Sequence, residues 1–310
     1  MDNIICVVGP TASGKTALAV ELAKYTGGEV VSCDSMQLYR RLDIGTAKPT
    51  REEMQGIPHH MIDICEPDED FSVGRYVEMA TPIVEDILAR GKTCVIAGGT
   101  GLYVDNLIRG CEFAPIPSTG CREWLEERLR TEGLEALCGE LRAIDPVALE
   151  KSQGNPRRIL RALEVYRETG ETITAHNKRT AALPPRFEPL WIGIDFASRQ
   201  ELYDRIDLRV RLMVKDGLLE EIRQVLNSGI PEKATAMQAI GYKEFIDAMA
   251  GRSTVEEAIA QVQQASRRYA KRQLTWFRRN RAIHWLRREP GMGAEEIFSA
   301  ARALLANFDK

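Results

Sequence analysis

The sequence predicts an α/β fold: a parallel sheet core flanked by helices and interrupted by an all-helical insertion domain. Three observations lead there. Gly9-Pro10-Thr11-Ala12-Ser13-Gly14-Lys15-Thr16 is a complete G-x-x-x-x-G-K-[ST] phosphate-binding loop between an apolar run, Ile4–Val8, and a helix that opens near Thr16. Short apolar runs alternate with helical spacing along the first hundred residues. Between Cys111 and Pro189 the pattern becomes helical only.

In chain order, strands are expected at Ile4–Val8, Glu29–Ser32 and Thr93–Ala97, with a helix from about Lys15 to Tyr25 after the first. Their apolar runs suit strands buried on both faces of a parallel sheet. Together with the loop they define a P-loop NTPase-like core. Met61–Ile64, after His59-His60, reads as a further strand-like stretch. The insertion is assigned to residues 113–186, leaving residues 1–112 and 187–310 as the core. Its helices are Arg122–Glu132, Leu134–Ala143 and Pro156–Glu168, the last with Asn155 as cap, Pro156 in its first turn and Gly170 as stop. It is entered through Phe113-Ala114-Pro115-Ile116-Pro117-Ser118 and left through Leu183-Pro184-Pro185-Arg186, and proline-rich crossings of this kind suit a hinge between lobes. The core resumes with a strand at Leu190–Phe196, continues with a basic-aromatic helix around Ser266–Arg281, and ends on a strand at Ile283–Leu286.

Composition narrows the class. At 310 residues, no apolar run approaches a membrane span, and Met1-Asp2-Asn3 offers no basic leader. A cytoplasmic protein is expected, and nothing requires more than a monomer. The seven cysteines form no C-x-x-C pair, so neither disulfides nor structural zinc are predicted; Cys6, Cys33 and Cys94 read as reduced core thiols. The four histidines share no metal spacing and are expected to be structural. Net charge is only −3, yet Arg267–Arg288 holds nine Lys or Arg and no Asp or Glu, and Arg157-Arg158…Arg161 forms a second cluster. Such patches engage a polyanion or are simply solvated helix faces.

Chemistry concentrates at the expected strand ends. Loop N–H groups, the positive end of the helix dipole and Lys15 favour a phosphate chain, with Thr16 placed to help hold Mg²⁺. Asp34, in Ser32-Cys33-Asp34-Ser35-Met36-Gln37, ends the second strand and is expected in the same crevice, as general base, as water-mediated Mg²⁺ ligand, or as helix cap. The third strand runs into Ala97-Gly98-Gly99-Thr100-Gly101, where many P-loop NTPases carry a Mg²⁺-supporting Asp. Glycines there permit close backbone approach to a ligand or to a helix. Arg205 and Arg209, four apart, share a helix face and are suited to clamp a phosphate, unless Asp204 and Asp207 neutralise them. Arg267–Arg279 interleaves cations with Tyr269, Trp276 and Phe277, a combination that holds looped RNA, with at least one of Trp276 and Phe277 expected in the core.

With these pieces in order, the chain resembles the tRNA dimethylallyltransferases, the enzymes that prenylate adenine next to the anticodon. The matching stretches are Gly9–Thr16, Asp34–Tyr39, Asp43–Pro49, Pro58–Met61, Gly98–Thr100 and Tyr269–Arg278, and they run through nearly the whole chain. The resemblance implies transfer of a dimethylallyl group from dimethylallyl diphosphate to N6 of adenosine 37, in tRNAs reading codons that begin with U. It implies the loop (Gly9, Thr11, Ala12, Ser13, Gly14, Lys15, Thr16) as diphosphate holder with Arg205 and Arg209, Mg²⁺ near Thr16, and Asp34 as the base. It implies contacts to the tRNA anticodon stem-loop from Asp34, Ser35, Met36, Gln37, Thr100, Arg122, Arg157, Arg158, Ile159, Leu160 and Arg161. The stretch Gln238, Ala239, Ile240, Gly241, Tyr242, Lys243 joins them, with Lys271 and Arg272. Gln238 and Lys243 stand where bacterial members favour arginine, which loses a charge at one and bidentate geometry at the other. Competing readings are an ATP-dependent nucleotide or nucleoside kinase, a prenyltransferase acting on free AMP, and a non-catalytic RNA-binding P-loop protein.

Overall fold

The computed structural model describes residues 2–110 and 119–308 and divides the chain into two compact units, Met1–Gly110 with Arg186–Lys310, and Cys111–Pro185. The expected hinge Phe113–Ser118 lies outside the described residues.

The first unit begins β1 (Ile4–Val8), α1 (Lys15–Thr26), β2 (Glu29–Ser32), α2 (Arg51–Met54), β3 (His59–His60), α3 (Val73–Ala89), β4 (Cys94–Gly98) and α4 (Gly101–Arg109). The helical unit contributes α5 (Cys121–Thr131), α6 (Leu134–Ile144), α7 (Pro146–Ser152), α8 (Pro156–Thr169) and α9 (Ile173–Ala181). The first unit resumes with β5 (Leu190–Phe196), α10 (Arg199–Lys215), α11 (Leu218–Asn227), a short 3-10 turn (Ala236–Gln238), α12 (Lys243–Met249), α13 (Val255–Phe277), β6 (His284–Arg288) and α14 (Ala294–Phe308).

The six strands form one sheet in the order β3-β2-β4-β1-β5-β6, every pairing parallel. β1 lies between β4 and β5, with Val8 opposite Gly98 and Gly193, and all five of its residues are buried. Parallel pairing points every strand the same way, so the segments after β1, β2, β4, β5 and β6 gather along one edge. That edge is where ligands of open α/β sheets bind. One core cluster joins Ile5 and Val7 to Leu18 and Leu22 of α1 and to Ile192 and Ile194 of β5.

The last strand runs His284–Arg288, ending two residues past the expected Ile283–Leu286, β4 is shifted by one residue, and two elements depart further from the sequence expectation. The strand near residue 60 is His59–His60 itself, because Met61 and Asp63 take positive φ (61° and 56°) and turn the chain out of the sheet. Lys48 Nζ holds that turn by donating to Asp63 Oδ1 and the Tyr39 carbonyl. Helix α13 begins eleven residues before Ser266, at a capping box in which Thr254 accepts from Glu257 N–H and Glu257 accepts from Thr254 N–H. Both histidines serve local structure: His59 Nδ1 lies 2.8 Å from the Ile57 carbonyl and His60 Nε2 lies 2.8 Å from Glu29. The six described cysteines are free. Among the described residues no helix is long and apolar enough to cross a membrane.

The helical unit packs Leu125, Leu137, Leu141, Ile159, Leu160 and Leu163 into its own core. Asn155 caps α8 by accepting from Arg157 N–H at 3.0 Å. Asp145 caps α7 and also accepts from Thr174 N–H and its hydroxyl, which fastens α9 to the bundle.

Candidate active site

The phosphate loop wraps the amino end of α1. Gly14 caps that helix at φ 91°, in the left-handed region that favours glycine. Lys15 is half-buried at the floor of the loop and donates to the Pro10 carbonyl at 2.6 Å. Loss of hydration lowers its pKa to about 8, opposed by the Asp34 carboxylate and reinforced by Arg209. Lys15, Thr16, Thr11, Asp34 and Arg209 line a small pocket of about 80 Å³.

Both arginines of α10 reach the loop. Arg205 Nε donates to the Ala12 carbonyl at 3.0 Å, and Arg209 Nη1 donates to Thr11 Oγ1 at 3.3 Å. The neighbouring carboxylates are engaged elsewhere: Asp207 binds Arg267 at 2.5 Å and Asp204 accepts from Gln200. The two guanidiniums are therefore left to the loop, which resolves the alternative of local neutralisation.

Asp34 sits in a tight turn, its Oδ1 accepting from Met36 N–H at 2.9 Å. Thr100, capping α4, accepts from Ser35 N–H at 3.0 Å and donates to Ser35 Oγ at 3.2 Å, so the turn after β2 is pinned to the turn after β4. Gln37 Nε2 donates to the Ala47 carbonyl at 3.1 Å, adding the segment Gly45–Ala47 to the assembly. That segment is held from behind by Glu221 of α11. Its carboxylate accepts from Asp43, Ile44 and Gly45 N–H at 2.7–3.1 Å and from Tyr242 Oη at 2.7 Å. Three successive amides on one carboxylate fix the backbone there.

A larger cavity of about 310 Å³ adjoins the loop, in the range of small-molecule sites. Thr11, Asp34 and Arg209 border both spaces. Ile206, Val210, Met213 and Val262 supply an apolar wall, while Tyr269 and Arg272 of α13 face it from another side. Burial and the nearby Asp34 push the Tyr269 phenol up to about 12, so it stays a neutral hydroxyl.

Sequence reasoning missed Gln273. It is buried, accepts from Thr11 N–H at 2.8 Å and donates to the Gly99 carbonyl at 2.9 Å, linking the phosphate loop to the end of β4. This assigns Gly99 and Gly101 to packing under α13, while Gly98 also lines the small pocket. A Cβ on Gly99 would lie 2.1 Å from Gln273 Nε2, and one on Gly101 would lie 2.2 Å from the Trp276 ring. A lone glutamine in a helix gives no sequence signal.

Other expected contacts separate by exposure. Ile159 and Leu160 are core residues of the helical unit and Tyr242 is fully buried on Glu221, so these side chains are packing and positioning groups, not exposed contact groups. Gln238, Lys243, Lys271 and Arg272 are exposed, Ala239 and Ile240 are half-buried cavity residues, and Gly241 is buried. Phe277 is buried and Trp276 donates to Asp105 at 2.9 Å, so both aromatics anchor α13. In the helical unit Arg161 and Arg122 converge on the buried Glu164, at 3.1 and 3.7 Å. Arg157 and Arg158 remain exposed in the first turn of α8, where two cations at the positive end of a helix dipole disfavour each other and favour an anion.

Thr16 offers one hydroxyl beside Asp34, and the described residues contain no cluster of three or more His, Cys, Asp or Glu. That sparse donor set does not suit zinc. It does fit Mg²⁺, which keeps its waters and draws most other ligands from substrate phosphates.

A family model described as IPP transferase matches residues 37–280, and one described as isopentenyl transferase matches residues 2–67. The chain is 43% identical over 310 residues to the tRNA dimethylallyltransferase of Acetivibrio thermocellus, covering 99% of both chains. It is 48% identical over 286 residues to that of a Thermoanaerobacter species, covering 91% of both. Among solved structures it is similar to the tRNA isopentenylpyrophosphate transferase of Bacillus halodurans (TM-score 0.74, 40% identity, 99% of this chain and 96% of that one). It is also similar to a eukaryotic dimethylallyltransferase acting on tRNA (TM-score 0.83, 25% identity, 99% of this chain and 80% of that one). The chain belongs to the IPP transferase family, the tRNA dimethylallyltransferases.

Proposed function

We propose that this chain transfers a dimethylallyl group from dimethylallyl diphosphate to N6 of adenosine 37 in tRNA, releasing diphosphate. One observation supports the site assignment: the phosphate-loop pocket and the larger cavity with its apolar wall share Thr11, Asp34 and Arg209, so a carboxylate stands between a diphosphate site and a space for the acceptor. The diphosphate occupies the loop, against Lys15, Arg205 and Arg209. The five-carbon group lies toward Ile206, Val210 and Met213, with C1 facing Asp34.

The N6 lone pair forms the new bond to C1 while the C1–O bond breaks and its electrons leave with the diphosphate. Asp34 takes the N6 proton. N6 is a poor nucleophile because its lone pair is delocalised into the ring, so positioning supplies much of the rate. Thr100, Gln37 and Glu221 provide it by fixing the walls beside Asp34. Lys15 and the loop amides stabilise charge growing on the leaving oxygen. A Mg²⁺ held at Thr16 would neutralise part of the diphosphate charge. The adenine must leave its stack, at a cost of a few kcal/mol that distant RNA contacts offset. The exposed Arg157 and Arg158 and the exposed Lys271 and Arg272 are suited to those contacts.

The test is one incubation with Mg²⁺, labelled dimethylallyl diphosphate, ATP, AMP and unmodified tRNA whose adenosine 37 is flanked by adenosines. Label in the tRNA supports the proposal. Label in AMP, or phosphate moved from ATP, overturns it. A second expectation concerns the RNA. Arg157→Ala with Arg158→Ala should weaken tRNA binding and reduce the slope of log K against log salt by roughly 1.5 to 2, the loss of two phosphate contacts. An unchanged slope would remove both residues from the interface.

A further inference from the structure

The loop is approached by one more cation than the sequence indicated. Arg288 ends β6, directly opposite Phe196 of β5, and its side chain is only 12% exposed. Its Nη1 lies 3.8 Å from where a Cβ on Gly14 would stand. Its guanidinium and that of Arg205 each lie 5.9 Å from the centre of the Phe196 ring, so two like charges flank one aromatic beside the Ala12–Gly14 turn. Arg288 Nε is buried without a hydrogen-bond partner, since Glu201 stops at 3.8 Å, and Ser13 Oγ in the same loop is buried and unpartnered as well. Unmet buried donors and adjacent guanidiniums are unfavourable by themselves and become favourable when an anion joins them.

From this juxtaposition we infer that Arg288, with Arg205, forms a second anion-holding edge of the phosphate loop and binds the diphosphate at the Ala12–Gly14 side. The inference rests on the diphosphate assignment proposed above. Lys15, Thr16 and Arg209 line the pocket toward Asp34, whereas Arg205 and Arg288 are absent from that lining. The two groups thus divide the work. Lys15 and Arg209 serve the phosphate nearest the breaking bond, and Arg205 with Arg288 holds the outer one. Glu201 is the competing carboxylate: it tethers Arg288 loosely and offsets part of its charge. Removing Glu201 should free Arg288 for the ligand.

Titration calorimetry with inorganic diphosphate and Mg²⁺ tests this on the full chain. Arg288→Met should weaken binding about tenfold, the scale of a lost charge-assisted contact. Arg205→Met should do the same, and Glu201→Gln should tighten binding. Wild-type affinity in Arg288→Met overturns the inference. So does recovery of wild-type affinity when Arg288→Met is combined with Glu201→Gln, because Arg288 would then serve only to neutralise Glu201. If Arg288→Met does not fold, as judged by thermal melting, Arg288→Gln is measured under the same two criteria. Equal binding by wild type and Lys15→Met would overturn the diphosphate assignment of the loop, and with it this inference.

Discussion

Asp34→Asn should lower the single-turnover rate of prenyl transfer by about 10²-fold or more while tRNA still binds, the range for a lost general base. Asparagine keeps an acceptor oxygen for Met36 N–H, the one bond that shapes the turn through Oδ1. It removes the capacity to take a proton, together with the negative charge that supports protonated Lys15. Asp34→Ala loses both, and its rate should be no higher. A wild-type rate in Asp34→Asn would mean that N6 loses its proton elsewhere, and the crevice carboxylate would be an Asx turn and nothing more. Tyr269 is not an alternative base, because its phenol is already protonated and its pKa stands at about 12.

Lys15→Met should lower kcat/KM by about 10²- to 10³-fold, the cost of removing a preorganised charge from the leaving oxygen. A pH dependence accompanies it. In the unliganded protein burial lowers the Lys15 pKa from its ordinary value to about 8. A bound diphosphate raises that value, because an anion stabilises the ammonium. Binding therefore needs the protonated form. Affinity for dimethylallyl diphosphate should be level below pH 8, then fall by about tenfold per pH unit above it. Lys15→Met should bind more weakly and lose that dependence, leaving a flat profile from pH 7 to 10. A steep decline that persists in Lys15→Met would assign the titration to another group.

The sheet was legible because its strands are apolar runs with clear ends. Ile4–Val8 and Leu190–Phe196 occupy the positions the sequence predicts, and the loop between β1 and α1 follows from its motif alone. β3 was not legible, since two histidines make no hydrophobic pattern and the apolar residues after them turn away from the sheet. The first half of α13 had a signal in Thr254 and Glu257, but the expected helix was tied to the basic-aromatic stretch.

The site was half legible. Lys15, Asp34, Arg205 and Arg209 can be proposed from motif and spacing; Lys15, Asp34 and Arg209 line one pocket, and Arg205 reaches the loop at the Ala12 carbonyl. Gln273, Glu221 and Arg288 cannot, because their partners lie far along the chain. Gln273 bridges residues 262 and 174 positions away, and Glu221 closes on amides 176 to 178 positions away. Packing decides such pairs. Of the two readings open for the glycines after β4, it gives Gly99 and Gly101 the helix bed and leaves Gly98 at the pocket.

The claim that the prenyl group transfers by C1–O cleavage with diphosphate as leaving group is tested most directly with dimethylallyl diphosphate carrying ¹⁸O in the oxygen that joins C1 to phosphorus. Prenylated tRNA should form together with diphosphate that retains all of the ¹⁸O, because the C1–O bond breaks and its oxygen leaves with the phosphate chain. Diphosphate without the label, or ¹⁸O recovered in dimethylallyl alcohol, would mean cleavage at phosphorus and would contradict the account.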